Sequence, residues 1–284
     1  MVAIHELLKS AHQQLKPITA NPWREAEDLL CCALGKTRNE ILLVDPCQEI
    51  PLPVTTQFTK YLSLRVQGTP LPYVLGFQNF YGLAFAVNPA VLIPRPETEV
   101  LVQEALRLVE SFRTTSVTIA DIGTGSGCIA ISVAHALPTV PTLSITAIDI
   151  SGEALGIALR NAKTHQVHDR ITFVQGDLTI PLREKPQVIL ANLPYLPTDM
   201  VCANALLVQE PKAALDGGQD GLGVYRRLFN QIGARAWNTL HMIVEIDPIQ
   251  EKSIMGELKA RWPQCYVEFV KDMHGLTRVA RVAL

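Results

Sequence analysis

Residues 117–134 read "VTIADIGTGSGCIAISVA", and the fold turns on how this stretch is understood. Val117 to Ile122 is an apolar, β-branched run of strand length with one acid in it, Asp121. Gly123, Gly125 and Gly127 follow, separated by Thr124 and Ser126, and then comes an apolar segment of helical length. A strand that turns through glycines into a helix opens an α/β sheet whose ligands bind at the carboxyl ends of the strands. Glycines in that turn let a ligand approach the backbone and leave its N–H groups uncovered. The dinucleotide fingerprint is G-x-G-x-x-G. Here the spacing is G-x-G-x-G, one residue tighter, with less room for a pyrophosphate. The spacing favours a nucleoside cofactor without one, against the plainer reading of a tight turn.

The chain on either side alternates in the same way. "LSITAIDI" (143–150), "ITFVQGDL" (171–178) and "QVILANLPY" (187–195) read as strands, and "GEALGIALRNAKTHQ" (152–166) as a helix between the first two. Further on, a helix is expected near 221–239, a strand at "HMIVEID", a helix near 248–261 and a closing pair of strands. Strands that alternate with crossover helices predict a parallel sheet covered on both faces. Upstream, "NPWREAEDLLCCALG" (21–35) has an Asn cap, Pro at the first helical position and Gly35 as a stop. Trp23, Ala26, Leu29, Leu30 and Ala33 recur at helical spacing as its apolar stripe. Aromatic and β-branched residues over 73–93, broken by Asn79, Gly82 and Asn88-Pro89, predict a β-hairpin. The expected organisation is a helical bundle over 1–72, a hairpin linker over 73–93 and an α/β domain over 94–284.

Bulk properties narrow the chemistry. The chain has 284 residues, 48% hydrophobic and 18% charged, with a net charge of −2. That is a globular composition without the basic field that holds a nucleic-acid backbone. The six cysteines, at 31, 32, 47, 128, 202 and 265, form no C-x-x-C pair and no disulfide framework, which predicts reduced thiols in the cytoplasm. The amphipathic start, "MVAIHELLKSAHQQL", is unlike a signal peptide, and no apolar run is long enough to span a membrane. The dispersed histidines predict no metal site.

Three strand ends carry candidate binding residues. Asp149 closes the strand after the glycine loop, where a carboxylate can accept from both ribose hydroxyls. Its alternative role is to cap the next helix, a task open to Ser151. Asp177 ends the third strand, and Leu178 beside it offers an apolar face to an adenine. "ANLPY" ends the fourth, where Asn192 adds a carboxamide and Tyr195 a flat ring. Asn and Pro are also common in plain turns.

In this order the motifs resemble class I S-adenosylmethionine-dependent methyltransferases, with a Rossmann-like sheet. The sharper resemblance is to the protein-(glutamine-N5) methyltransferases of peptide-chain release factors, the HemK/PrmC family. It runs through the helical N-terminal block, "LIPRPETEVLV", "DIGTGSGCIAI", "ANLPYLP" and "EPKAALDGGQDGLGVYRRL". It implies S-adenosyl-L-methionine as cofactor, held by Gly123, Thr124, Gly125, Ser126, Gly127, Asp149, Asp177, Leu178 and Asn192, and S-adenosyl-L-homocysteine as product. It implies that Asn192, Leu193, Pro194 and Tyr195 bind the substrate, with Asn192, Pro194 and Tyr195 catalytic. The substrate would be the glutamine of the GGQ motif in class 1 release factors, methylated by a cytoplasmic monomer without stable nucleic-acid binding.

The family's N-P-P-Y is N-L-P-Y here, with Leu193 in place of the first proline. N-L-P-Y also occurs in rRNA adenine dimethyltransferases, so an N6-adenine methyltransferase acting on RNA or DNA is the alternative. A non-catalytic cofactor-binding protein is the third reading. In the resembled family, the amide oxygen of the Asn and the backbone carbonyl of the next residue accept the two hydrogens of the substrate amide. "RPETE" is expected to line the cofactor pocket through Arg95 and Glu97. The internal Gly-Gly-Gln ending at Gln219 is read as a loop and not as a modification site.

Overall fold

The computed structural model describes residues 2–112, 114, 116–204, 209–235, 237 and 240–284. The chain divides into two units, Met1–Phe77 and Gln78–Leu284. In the first, a two-residue ladder of β1 (Val2–Ala3) against β2 (Glu49–Ile50) accompanies five helices. They are α1 (Ile4–Leu15), α2 (Pro22–Leu34), α3 (Arg38–Leu42), α4 (Leu52–Val66) and α5 (Leu71–Leu75). The apolar stripes meet as their periodicity demands: Leu7, Ala11 and Leu15 join Ala26, Leu29, Leu30, Phe58 and Leu62 in one core. Each fully buried Leu or Phe there contributes about 1.5–3 kcal/mol. Pro22 opens α2, and Gly35, at φ 63°, ends it in the left-handed conformation. Two expectations for α2 fail. The Asn21 side chain makes no cap bond, and Trp23 is 50% exposed. Trp23 lies in the first turn, where its ring stacks on His12 with centroids 4.2 Å apart instead of entering the core.

The hairpin forms from β3 (Phe77–Phe80) and β4 (Leu83–Ala86). Tyr81 and Gly82 join them, both at positive φ (49° and 75°) as a tight two-residue turn requires. It is not a loose linker. Phe80 and Phe85 are buried in the same core as the sheet, and the Ala86 N–H donates to Asn161 Oδ1 at 2.8 Å.

The remaining elements are α6 (Glu99–Ser111), β5 (Ser116–Ile122), α7 (Cys128–Ala136), β6 (Thr142–Asp149), α8 (Gly152–Thr164), β7 (Ile171–Gln175) and β8 (Val188–Ala191). They continue with α9 (Thr198–Ala203), α10 (Gly223–Ala234), β9 (His241–Glu245), α11 (Glu251–Arg261), β10 (Tyr266–Lys271) and β11 (Thr277–Ala283). The helix expected near 221–239 is thus α10, and residues 236, 238 and 239 of that expectation lie outside the described residues. Seven strands make one sheet in the order β10-β11-β9-β8-β5-β6-β7. Neighbours from β9 to β7 run parallel, and β11 pairs antiparallel with both β9 and β10.

Both faces are covered, so β8 is buried along its whole length. Val188 and Leu190 enter the core on one face, and Ile189 and Ala191 that on the other. The chain progresses from β5 through β6 to β7, then returns to β8 on the other side of β5. The carboxyl ends of β5 and β8 therefore flank the topological switch point, where such sheets bind ligands. Among the described residues, no helix is long and apolar enough to cross a membrane.

Candidate active site

A cavity of about 330 Å³ opens at this switch point, a volume suited to a small-molecule ligand. The glycine loop forms one wall. Gly123, Gly125 and Gly127 have φ of 73°, 55° and 81°, a left-handed conformation that costs other residues free energy. A Cβ at Gly127 would lie 3.1 Å from Ala158 Cβ, so this glycine lets α7 and α8 pack closely. Beside Gly125 a Cβ would meet no atom nearer than the Gly123 carbonyl at 4.0 Å, and this residue lines the cavity. The expected row of uncovered N–H groups is not there. Gly123 and Thr124 donate to the Ile148 carbonyl at 2.8 and 2.9 Å, and Gly127 donates to the Thr124 carbonyl. The loop is stitched to β6, and what it offers a ligand is close approach.

Carboxylates hold that stitching. Asp149 Oδ2 accepts from the Gly125 N–H at 2.8 Å and Oδ1 from the Ser151 N–H at 2.9 Å. Ser151 itself caps α8, accepting from the Ala154 N–H. Each Asp149 oxygen retains a second lone pair for a ligand hydroxyl. Asp121 is fully buried, and its Oδ2 accepts from the Thr124 hydroxyl at 2.6 Å. Among the described residues its Oδ1 has no hydrogen-bond partner of standard geometry, and burial raises its pKa to about 6. Asp177 and Leu178 both line the cavity. Arg227 of α10 donates to both Asp177 oxygens at 2.6 Å, so this acid faces the cavity already paired. Leu178 sits at φ 51°.

The opposite wall follows β8. Asn192, Leu193 and Pro194 line the cavity. Asn192 Nδ2 donates to Thr98 Oγ1 at 3.0 Å. Among the described residues nothing donates to its Oδ1 or to the Leu193 carbonyl. The Leu193 side chain is buried toward the loop, where a Cβ on Gly123 would meet its Cδ2 at 3.0 Å. Tyr195 is outside the cavity lining. Its hydroxyl donates to Glu245 Oε1 at 3.3 Å, and its carbonyl accepts from Gln250 Nε2 at 2.9 Å.

Several functional neighbours are not apparent from sequence reasoning. Glu245, 1% exposed at the end of β9, has its pKa raised to about 7 by burial. The Tyr225 hydroxyl accepts from the Leu193 N–H at 3.3 Å and donates to the Glu245 backbone carbonyl. A single acid ending an apolar strand was the signal for Asp121 and Asp149, and "IVEI" carries it too. Of the "RPETE" pair, Arg95 lines the cavity and Glu97 does not. Arg95 is ion-paired with the buried Glu210, whose other oxygen accepts from the Ile93 N–H at 3.1 Å. The Gly-Gly-Gln loop backs the N-L-P-Y turn. A Cβ on Gly217 would lie 2.7 Å from the Pro194 carbonyl, and one on Gly221 would lie 2.2 Å from that of Tyr195. Gln219 is exposed.

Residues 6–76 match the family described as the PrmC N-terminal domain, and residues 100–219 the methyltransferase small domain. The release factor glutamine methyltransferase of Bacillus anthracis is 36% identical over 282 residues, 97% of each chain. That of Moorella thermoacetica is 44% identical over 209 residues, 73% of this chain and 72% of its own. Among solved structures, the hMettl16 catalytic domain in complex with MAT2A 3'UTR hairpin 6 has a TM-score of 0.55. It covers 78% of this chain and 81% of its own at 16% identity, a likeness of fold alone. Near-full-length identity of this order, over both units and the switch-point site, places the chain in the release factor glutamine methyltransferase family.

Proposed function

We propose that this protein methylates the side-chain amide nitrogen of the glutamine in the GGQ motif of class 1 release factors, with S-adenosyl-L-methionine as donor. The observation that carries the reading is the Asn192 carboxamide, whose nitrogen is engaged by Thr98 while its oxygen is left for a substrate N–H. The residues present fit the donor. Gly125 leaves open space along the cavity wall, Asp149 has lone pairs for the ribose hydroxyls, and Leu178 and Ile150 give an apolar lining for the adenine. When bound, the donor supplies an electrophilic methyl group on a sulfonium.

An amide nitrogen is a poor nucleophile because its lone pair is delocalised into the carbonyl. Asn192 Oδ1 and the Leu193 carbonyl, accepting one amide hydrogen each, would turn the nitrogen lone pair toward the methyl. They would also stabilise the positive charge that builds on that nitrogen, as preorganised dipoles do. Leucine in place of proline keeps the backbone acceptor. Pro194 still restrains Leu193 to an extended backbone. Pro194 narrows the approach, and Tyr195 acts from behind, its ring packed against the core and its hydroxyl tied to Glu245. The Met1–Phe77 helical unit is assigned to docking the release factor.

An N6-adenine substrate needs the same acceptors, and the net charge of −2 disfavours it. Labelled S-adenosylmethionine offered in parallel to purified release factor and to rRNA separates the two. Label on the release factor that disappears when the GGQ glutamine is replaced is the expected result. Label on RNA alone overturns the reading.

A further inference from the structure

Leu193 stands where the family's usual residue is proline, and its carbonyl is one of the two acceptors the chemistry above needs. A proline ring closes on the backbone nitrogen and so fixes φ near about −65°. Leucine has no such ring. Because φ is the rotation about N–Cα, it is also settled when the N–H on one side and the Cβ on the other are both held. Here both are held. The Leu193 N–H donates to the Tyr225 hydroxyl at 3.3 Å. The Leu193 side chain is buried against the glycine loop, where a Cβ on Gly123 would lie 3.0 Å from its Cδ2. Pro194 keeps the next torsion, ψ of Leu193, extended.

The hydroxyl that receives this N–H is itself fixed. It donates its proton to the Glu245 backbone carbonyl, so it acts as acceptor and donor at once. Tyr225 is fully buried, and its ring packs with Phe229 at 6.0 Å between centroids, in the core that also holds Leu193. Bulk water therefore does not compete for either bond. The last ladder pair of β8 and β9 joins Ala191 to Val244. Just beyond it, where the backbones separate, the Tyr225 hydroxyl bridges Leu193 to Glu245 and carries the connection past the end of the sheet.

We propose that Tyr225 is the positioning residue that fixes the Leu193 backbone in place of a proline ring, and so keeps the Leu193 carbonyl aimed at the substrate amide. A hydroxyl on one side and a buried side chain on the other do by contact what the ring does by covalent closure. The consequence for rate rests on the glutamine-methylation reading; the restraint itself rests on the contacts.

Tyr225 acts from the core and not from the cavity. Val224 and Arg227 of the same helix line the cavity, whereas the Tyr225 ring is packed behind the turn. A residue needed only to fill that core would be served equally by phenylalanine, which has the same ring. What phenylalanine lacks is the bridge. Among the described residues the Leu193 N–H has no other partner, so without the hydroxyl φ of Leu193 is held from the side-chain end alone.

The test compares Tyr225→Phe, alone and combined with Leu193→Pro, with the wild-type enzyme. At saturating donor, Tyr225→Phe should lower kcat on release factor about tenfold or more, with donor Kd unchanged within about twofold. Adding Leu193→Pro supplies the missing ring and should recover about fivefold or more of that loss. A loosened core would not be repaired by a proline, so the recovery separates positioning from packing. A readout without substrate is hydrogen exchange of the leucine amides in 15N-leucine-labelled protein, with the Leu193 signal identified by its loss in Leu193→Pro. That amide should be protected in the wild type and exchange about tenfold faster or more in Tyr225→Phe. Leu190, buried in β8, is the reference for global opening and should change by less than about threefold. Wild-type kcat in Tyr225→Phe, a loss that Leu193→Pro leaves unrecovered, or a Leu193 amide that exchanges no faster than before relative to Leu190 overturns the proposal. If the wild-type enzyme transfers no methyl to release factor, the function reading falls while the exchange of Leu193 still decides the restraint.

Discussion

The two walls of the cavity are held by different means. On the donor side, at the ends of β5 and β6, carboxylates grip backbone N–H groups close in sequence: Asp149 reaches 2 residues to Ser151 and 24 to Gly125. On the transfer side, at the ends of β8 and β9, side chain meets side chain or backbone over far longer spans. Asn192 to Thr98 is 94 residues, Tyr195 to Glu245 is 50, and Gln250 to the Tyr195 carbonyl is 55. A wall built from local contacts forms with its own strand–turn–helix unit. The other is assembled only when distant strands pair; each wall buries an acid, Asp121 in the first and Glu245 in the second.

The largest effect expected from that contrast is on stability. Folded Glu245 keeps its proton up to about pH 7, against an ordinary value of 4.5. Between those values the folded state binds more protons than the unfolded one, so stability falls as pH rises through the window. The Glu245 share is about 3 kcal/mol. Urea unfolding at both ends of the window should show the wild type losing more stability than Glu245→Gln by that amount. Equal losses would remove Glu245 from the account.

Substituting the glycines separates backing from lining. Gly221→Ala places a Cβ 2.2 Å from the Tyr195 carbonyl at φ 75°, and should cost about 2–3 kcal/mol with a matching fall in Tm. Gly125→Ala, with open space beside it, should cost about 1 kcal/mol and act mainly on donor affinity. A larger loss of stability in Gly125→Ala would reverse the contrast.

Kinetics divide the walls again. Asn192→Ala should lower kcat about 100-fold or more while donor Kd moves less than about tenfold. Asp149→Asn should weaken donor binding about tenfold and leave kcat at saturation within about threefold. Isothermal titration and single-turnover methylation measure the two quantities, and a kcat-specific loss in Asp149→Asn would break the division. The smallest effect belongs to Leu193→Pro, which restores the family's usual residue. It removes the Leu193 N–H that donates to Tyr225 at 3.3 Å and gains up to about 1 kcal/mol of preorganisation. Because the Leu193 side chain packs toward Gly123, turnover should stay within about threefold. A tenfold change would mean that the leucine itself contacts substrate.

What was legible follows the same divide. Strand–glycine–helix and the acid at Asp149 have local signatures, because turn geometry and strand period act over a few residues. The Gly35 stop of α2 behaved as written, whereas Trp23 left the expected stripe because His12 offered it a stacking partner outside the core. Asp177 could be placed at a strand end, but its pairing with Arg227 could not, since α10 lies 50 residues away. Thr98 stood inside a motif already singled out, "PRPETE", but was given no role of its own. Tyr195 was expected to offer a flat face to the substrate, and the partner of its hydroxyl, Glu245, lies 50 residues away and was not foreseen.

The amino-acid sequence by itself therefore determined the fold class and placed Asp149, Asp177 and Asn192 at the strand ends that line the cavity. Periodicity, turn-forming residues and motif spacing are written in near neighbours and need no knowledge of the final packing. Only the tertiary structure decided that the Gly123, Thr124 and Gly125 N–H groups are consumed by β6, that the hairpin belongs to the sheet unit, and that the Asn192 side-chain nitrogen is held by Thr98, 94 residues away. Those outcomes depend on which distant groups lose water together.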